Sequence, residues 1–164
     1  MYDFEQLVNL LKLKKLTISA AESCTGGLFA ADLVSVSGAS EVLSSSFVAY
    51  SEDAKISLLG VKPENIRNYG IVSEQVALEM AKGAVKLSGA DIAVGITGFA
   101  GPAIDENDSS AGTVCFGFTV NGRSVTTTKH FGDIGRNIVR EASVHYAAVT
   151  LIALINKLGD SDEN

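Results

Sequence analysis

Three apolar runs, each short enough to be a strand, end in polar turns, and this repeated pattern constrains the fold of the 164-residue chain more than any other feature. Residues 16–21 lead into Glu22-Ser23-Cys24-Thr25-Gly26-Gly27, residues 46–50 into Ser51-Glu52-Asp53, and residues 91–97 into the loop 98–112. The first two turns open into segments of helical character. Strand, tight turn and helix in succession is the building unit of open α/β sheets, which collect ligands at the carboxyl ends of parallel strands.

The other segments fit around these units. Phe4, Leu7, Val8 and Leu11 recur at helical spacing, so an amphipathic helix is expected over residues 4–15. Ser51 is placed to cap a helix, Glu52 and Asp53 suit its positive end, and Gly60 suits its stop. Residues 63–69 read as a turn or helical connector. Ser73 begins a helix with Val76, Ala77, Met80, Ala81, Ala84 and Val85 on one face, closed by Gly89. Val114, Phe116, Phe118 and Val120 alternate along a strand, and Asn121-Gly122 is a two-residue hairpin signal that adds an antiparallel pair. A long helical pattern covers residues 135–158. The expectation is an α/β fold: a single-domain three-layer α/β/α sandwich over residues 1–160, with a mixed, largely parallel sheet, and a polar tail at 161–164.

Charge and composition narrow the function. A net charge of −6 and the lack of any basic run argue against nucleic acid. Two cysteines and two histidines supply neither a disulfide framework nor a convincing zinc site, so Cys24 and Cys115 read as buried free thiols, His130 as a strand residue and His145 as part of the last helix's packing or polar face. The acidic N-terminus lacks a secretory signal, and no run approaches the roughly 18 uninterrupted apolar residues of a spanning helix, so a cytoplasmic chain with no membrane partner is expected. A small anionic ligand stays compatible, because backbone N–H groups can bind phosphate whatever the net charge.

Phosphate loops, dinucleotide turns, nucleophile elbows and zinc-protease helices are all missing, so a hydrolase here must manage without the usual triad. What remains is a coincidence of position. Ser23, Tyr50 and Thr97 all fall at the carboxyl ends of expected strands, and parallel neighbours would open all three into one crevice. Lys55 sits one turn into the helix that Ser51 caps, and helical side chains lean toward the N-terminus, so its amine would reach back toward the same crevice. A partly desolvated lysine has a lowered pKa and can act as a neutral base at pH 7, which activates a serine without histidine. The residues after Ser23 are read as starting a helix whose free N–H groups could hold an oxyanion or a phosphate, with Gly26 and Gly27 allowing close approach. Taken singly, Ser23 or Thr25 also reads as a helix cap, Lys55 as a solvated lysine, Tyr50 as a core or rim aromatic, and Thr97 as a strand residue. Cys24 is a rival nucleophile, since helix N-termini lower thiol pKa values too.

The blocks Ala21-Glu22-Ser23-Cys24-Thr25-Gly26-Gly27, Phe47-Val48-Ala49-Tyr50-Ser51-x-x-Ala54-Lys55, Leu59-Gly60-Val61, Gly70-x-Val72-Ser73-Glu74, Thr97-Gly98-Phe99-Ala100-Gly101-Pro102, Gly112-Thr113-Val114 and Arg136-x-x-Val139-Arg140 follow one another in register. In these the chain resembles the CinA C-terminal domain family, whose enzymatic members are nicotinamide mononucleotide deamidases, over nearly its whole length. The resemblance implies Ser23 as nucleophile, Lys55 as base, Tyr50 as assisting tyrosine and Thr97 near the substrate. It also implies substrate contacts from Cys24, Thr25, Gly26, Gly27, Gly98, Gly101 and Arg136, with no metal and no organic cofactor. Nicotinamide mononucleotide is the implied small-molecule partner, a homo-oligomer is expected, and the chain looks like the stand-alone form of the family. Two features depart from the family pattern: residues 103–110 carry bulk and three carboxylates where many members have glycines, and Gly132-Asp133-Ile134-Gly135-Arg136 is longer than the usual spacing. If that loop borders the site, its charge would disfavour a phosphorylated substrate. Hydrolysis of another amide, and a paralogue that binds a nucleotide or protein without turnover, are the alternatives these departures raise.

Overall fold

The computed structural model describes residues 2–105 and 107–159; Glu106 and the tail expected at 161–164 lie outside the described residues. Helix α1 (Tyr2–Lys14) buries the expected stripe of Phe4, Leu7, Val8 and Leu11. Each such side chain withdrawn from water contributes roughly 1.5–3 kcal/mol. Strand β1 (Ile18–Glu22) follows and is buried along its whole length. A five-stranded sheet forms in the order β2-β1-β3-β4-β5, with β2 at Phe47–Val48, β3 at Ile92–Gly98, β4 at Thr113–Val120 and β5 at Arg123–His130.

The sheet is mixed, as expected, but its parallel part is smaller than expected. Strand β1 runs parallel to β2 and β3, yet β2 contributes only two residues. The antiparallel ladders from β4 to β3 and to β5 are the long ones. Asn121 at φ 48° and Gly122 at φ 79° make the tight hairpin that forces this reversal.

Helices cover both faces. On one face α3 (Glu52–Leu59), α4 (Pro63–Tyr69) and α5 (Glu74–Ser88) enclose a core that includes Ala21, Val76, Met80, Ala84 and Ala93. On the other, α1, α2 (Leu28–Val34) and α6 (Arg136–Gly159) pack over Ile18, Ala20, Val94, Phe116 and Phe118. Helix α6 is long and apolar enough to pass a length test for crossing a bilayer, but Val139, Val144, Ala147, Ala148, Leu151 and Ile155 are buried in this core. Its polar side carries His145, whose Nε2 lies 2.6 Å from Asp3 Oδ2 on α1.

Helix α5 approaches the sheet unusually closely. Gly95 and Gly117 are paired across β3 and β4, and a Cβ on either would stand 2.0 Å from Ala77 O or 2.3 Å from Leu78 N. No side chain fits there, so the two glycines let the helix backbone rest on the sheet. The same contact seats the loop before α5 against the end of β3, where Thr97 Oγ1 donates to Ile71 O at 3.0 Å.

Candidate active site

The end of β1 turns sharply at Ser23, whose N–H is held by Ile96 O at 2.9 Å. Helix α2 does not begin at once. A turn intervenes in which Gly26 N–H donates to Ser23 O and Leu28 N–H to Thr25 O, with Gly26 and Gly27 at φ 59° and 97°. That left-handed backbone is why glycines stand at both positions. The N-terminal N–H groups of α2 are also not free for a ligand, which corrects the sequence expectation. Fully buried Glu22 takes them: Gly27 N–H and Phe29 N–H donate to its Oε2 and Ala30 N–H to its Oε1, at 3.0–3.1 Å. Neither Ser23 nor Thr25 caps the helix; Gly27 occupies the cap position and the carboxylate from the preceding strand supplies the acceptors. Glu22→Gln keeps the shape but turns an NH₂ toward these donors. It is expected to lower unfolding stability by roughly 1.5–3 kcal/mol, the worth of a hydrogen bond to a charged group, as read from chemical denaturation.

Lys55 comes from α3, which Ser51 caps by accepting Ala54 N–H and Gly60 ends in left-handed conformation, both as expected. Its side chain leans back and is 1% exposed, with Nζ 2.7 Å from Ser23 Oγ, 3.0 Å from Ala49 O and 3.2 Å from Tyr50 O. Desolvation pushes its pKa below the usual lysine value. A neutral amine has two N–H bonds and one lone pair. Charged, the amine donates to Ser23 Oγ and to both carbonyls; neutral, it keeps the two carbonyl bonds and turns its lone pair to the Ser23 hydroxyl proton.

Cys24 is adjacent, but burial pushes its thiol up to about 11 from 9.0. A neutral thiol is a poor nucleophile, so the chemistry favours Ser23. Cys24→Ala preserves the backbone N–H and removes only the thiol. Steady-state turnover of this variant is expected within a few-fold of wild type; loss of turnover with retained fold would make the thiol the nucleophile.

These groups line a cavity of about 340 Å³, at the small end of ligand sites of roughly 300–1,000 Å³. Ser23, Cys24, Tyr50, Lys55 and Thr97 meet there, as the strand-end reading expected. Gly98, Gly101 and Arg136 line it as well. Thr25, Gly26 and Gly27 are not among the lining residues; Thr25 is fully buried and its hydroxyl has no partner among the described residues. The Tyr50 phenol is not beside Lys55 in the way its carbonyl is. Tyr50 is 60% exposed, and its hydroxyl accepts from Arg136 at 2.8 Å while the same guanidinium donates to Gly101 O at 2.8 Å.

From the altered loop, Asp108 lines the cavity. Hydrogen bonds from the Ser110 hydroxyl and from the N–H groups of Ile104 and Ser110 hold its carboxyl below the usual range. Two residues without an assigned role in the sequence reading also belong to the site: Glu22, and Arg140 of α6. Arg140 donates from Nε to Cys24 O and from Nη2 to Thr25 O, each at 3.0 Å.

Fold and site together define a three-layer α/β domain in which a serine and a buried lysine meet at the carboxyl ends of parallel strands. The chain belongs to the CinA C-terminal domain family, whose model matches residues 4–155. It is 44% identical over 87% of its length to a CinA-like protein of Kosmotoga olearia, covering 34% of that relative, and it likewise spans about a third of a putative competence-damage inducible protein of Alkaliphilus oremlandii and of a CinA-like protein of Petrotoga mobilis. It is also 42% identical over 90% of its length to the nicotinamide-nucleotide amidohydrolase PncC of Escherichia coli K12, covering 89% of that protein. Among solved structures it resembles a CinA-superfamily protein from Escherichia coli (TM-score 0.87, 34% identity, 93% of this chain and 88% of that one). A competence/damage-inducible protein from Agrobacterium tumefaciens is similarly close (TM-score 0.85, 40% identity, 94% and 96%).

Proposed function

We propose that this protein hydrolyses the carboxamide of nicotinamide mononucleotide, giving nicotinate mononucleotide and ammonia, with Ser23 as nucleophile and Lys55 as general base. The contact of a buried, pKa-lowered Lys55 Nζ with Ser23 Oγ at 2.7 Å supports this reading most directly. The name of the Escherichia coli relative supports the choice of substrate.

Ser23 Oγ forms a bond to the amide carbon as its proton passes to Lys55 Nζ, and the carbonyl oxygen becomes an oxyanion. Cys24 N–H, on a residue lining the cavity and donating to no other described residue, is the donor for that charge. The C–N bond then breaks as the Lys55 proton moves to the leaving nitrogen, which departs as ammonia. Water attacks the ester, Lys55 takes its proton and returns it to Ser23 Oγ, and the acid product leaves. Nicotinamide mononucleotide is itself zwitterionic. Its pyridinium suits the ionised Asp108, and its phosphate suits Arg136, so one acidic and one basic group on the wall match the charges of the substrate. A cytoplasmic location, read from the acidic N-terminus, and a homo-oligomeric state, carried by the family resemblance, belong to the same proposal.

Asp108 also favours a second reading, a pyridinium amide without phosphate. The deciding experiment offers the purified protein nicotinamide mononucleotide, nicotinamide riboside and nicotinamide, following ammonia and the matching acid. Preferred turnover of the mononucleotide is expected. Preference for the riboside would install the second reading, and binding without product from any of the three would overturn hydrolysis.

A further inference from the structure

The turn that carries the nucleophile is held from one side by Glu22, and its opposite side is gripped by a residue more than a hundred positions away. Arg140 Nε–H donates to Cys24 O, and its Nη2–H to Thr25 O, while Nη1 is anchored on Asn137 Oδ1 at 3.0 Å. The peptide that carries Thr25 O also carries Gly26 N–H, which donates to Ser23 O at 3.0 Å. The peptide that carries Ser23 O in turn carries Cys24 N–H. One guanidinium therefore grips Cys24 twice: directly at its carbonyl, and through a two-peptide relay at the unit that bears its N–H.

Hydrogen bonding to a peptide carbonyl polarises that unit and strengthens donation by its N–H, by about 10–30% per bond. The first bond of this relay comes from a permanent cation in a rigid planar fork. Cys24 N–H donates to no other residue among the described ones; its hydrogen bond is to the thiol of its own residue, which is 5% exposed and lines the cavity beside Ser23. A backbone N–H beside a nucleophile that is committed to no other residue is placed to donate to a group that forms later.

We propose that Arg140 is the positioning residue of the oxyanion hole: it orients and polarises the turn so that Cys24 N–H meets the oxyanion formed when Ser23 attacks. Arg140 is not among the residues lining the cavity and acts through the two peptides. The inference rests on the reading of Ser23 as an acyl-transfer nucleophile, but not on the identity of the substrate.

The test compares wild type, Arg140→Ala and Arg140→Lys in turnover of nicotinamide mononucleotide and in affinity for pyridine-3-boronic acid. That probe adds the serine oxygen to boron and mimics the tetrahedral state. Arg140→Ala is expected to lower kcat by about 10- to 100-fold, no more than outright loss of one oxyanion donor. Boronate affinity falls in parallel, KM changes little, and added guanidinium ion at sub-denaturing concentration restores part of kcat. Arg140→Lys, with one point charge in place of a two-pronged fork, falls between. If the alanine variant does not fold, the lysine variant carries the same comparison. A folded Arg140→Ala with unchanged kcat, or with reduced kcat but unchanged boronate affinity, overturns the proposal. Wild type that binds boronate but releases no ammonia from the mononucleotide refutes the proposed substrate alone, and the affinity ratio still judges Arg140. Wild type that binds no boronate overturns the serine reading and this inference together.

Discussion

Ser23→Ala is expected to lower kcat for amide hydrolysis by about 10⁴–10⁶, in the range seen when a covalent nucleophile is removed. The fold should survive. The hydroxyl's recorded partner is Lys55 Nζ, and the backbone bond from Ser23 N–H to Ile96 O, which fixes the turn, is untouched. Substrate affinity should survive too, because Arg136, Asp108 and Thr97 line the cavity independently of the hydroxyl. The expected result is therefore a large loss of kcat with a dissociation constant close to the wild-type KM, from ammonia release and calorimetry on the same preparation. Residual turnover above about a hundredth of wild type would exceed what the remaining groups supply without a nucleophile. The thiol of Cys24 would then have to carry the attack, against its raised pKa.

Much of this site is legible in the sequence, because it depends on local rules. Ser51, Ser73, Gly60 and Gly89 mark helix ends through side-chain oxygens and left-handed backbone, and each does so where the pattern placed it. The lean of helical side chains toward the N-terminus brings Lys55 back to the carbonyls of Ala49 and Tyr50. The parallel neighbours β2, β1 and β3 then align Tyr50, Ser23 and Thr97 at one edge.

What was not legible depends on tertiary geometry. Glu22 lies inside the most recognisable motif, yet its role follows from the path of a turn that returns α2 onto it five to eight residues later. Periodicity suggested a helix start after Ser23 with free N–H groups; the turn and that carboxylate remove them. Arg140 is 115 and 116 residues from its acceptors, a distance no spacing rule bridges. The pairing of Gly95 with Gly117 needs the register of β3 on β4, and only then does either glycine show itself as the seat of a helix. The parallel share of the sheet was overestimated at residues 46–50, where only Phe47–Val48 pairs as a strand and the next two residues lend their carbonyls to Lys55.

Lys55→Met should lower turnover sharply and reveal how strongly burial disfavours the charge on this amine. Loss of base assistance is expected to cost about 10²–10⁴ in kcat. For stability, two effects compete. Methionine removes a buried amine whose charged form is costly, but it strips Ala49 O and Tyr50 O of their donor, at about 1–3 kcal/mol for each carbonyl left unsatisfied. The diagnostic is therefore how the difference between variants changes with pH. Desolvation holds the folded-state pKa of Lys55 below its ordinary value of 10.5. Between those two pKa values the unfolded chain binds a proton that the native chain does not, so wild-type stability rises with pH across that window. Below the lowered pKa the amine is charged in both states and its full burial cost is present; above 10.5 it is neutral in both and the cost is gone. The methionine variant lacks this ionisation. Its stability relative to wild type should be most favourable at low pH and decline steadily toward 10.5, as read by chemical denaturation at a series of pH values. The same ionisation should produce an acid limb in wild-type kcat/KM, rising with pH through the lowered pKa and flat above it. A pH-independent stability difference together with a limb placed near 10.5 would mean that Lys55 is an ordinary charged lysine, and Ser23 would need another base.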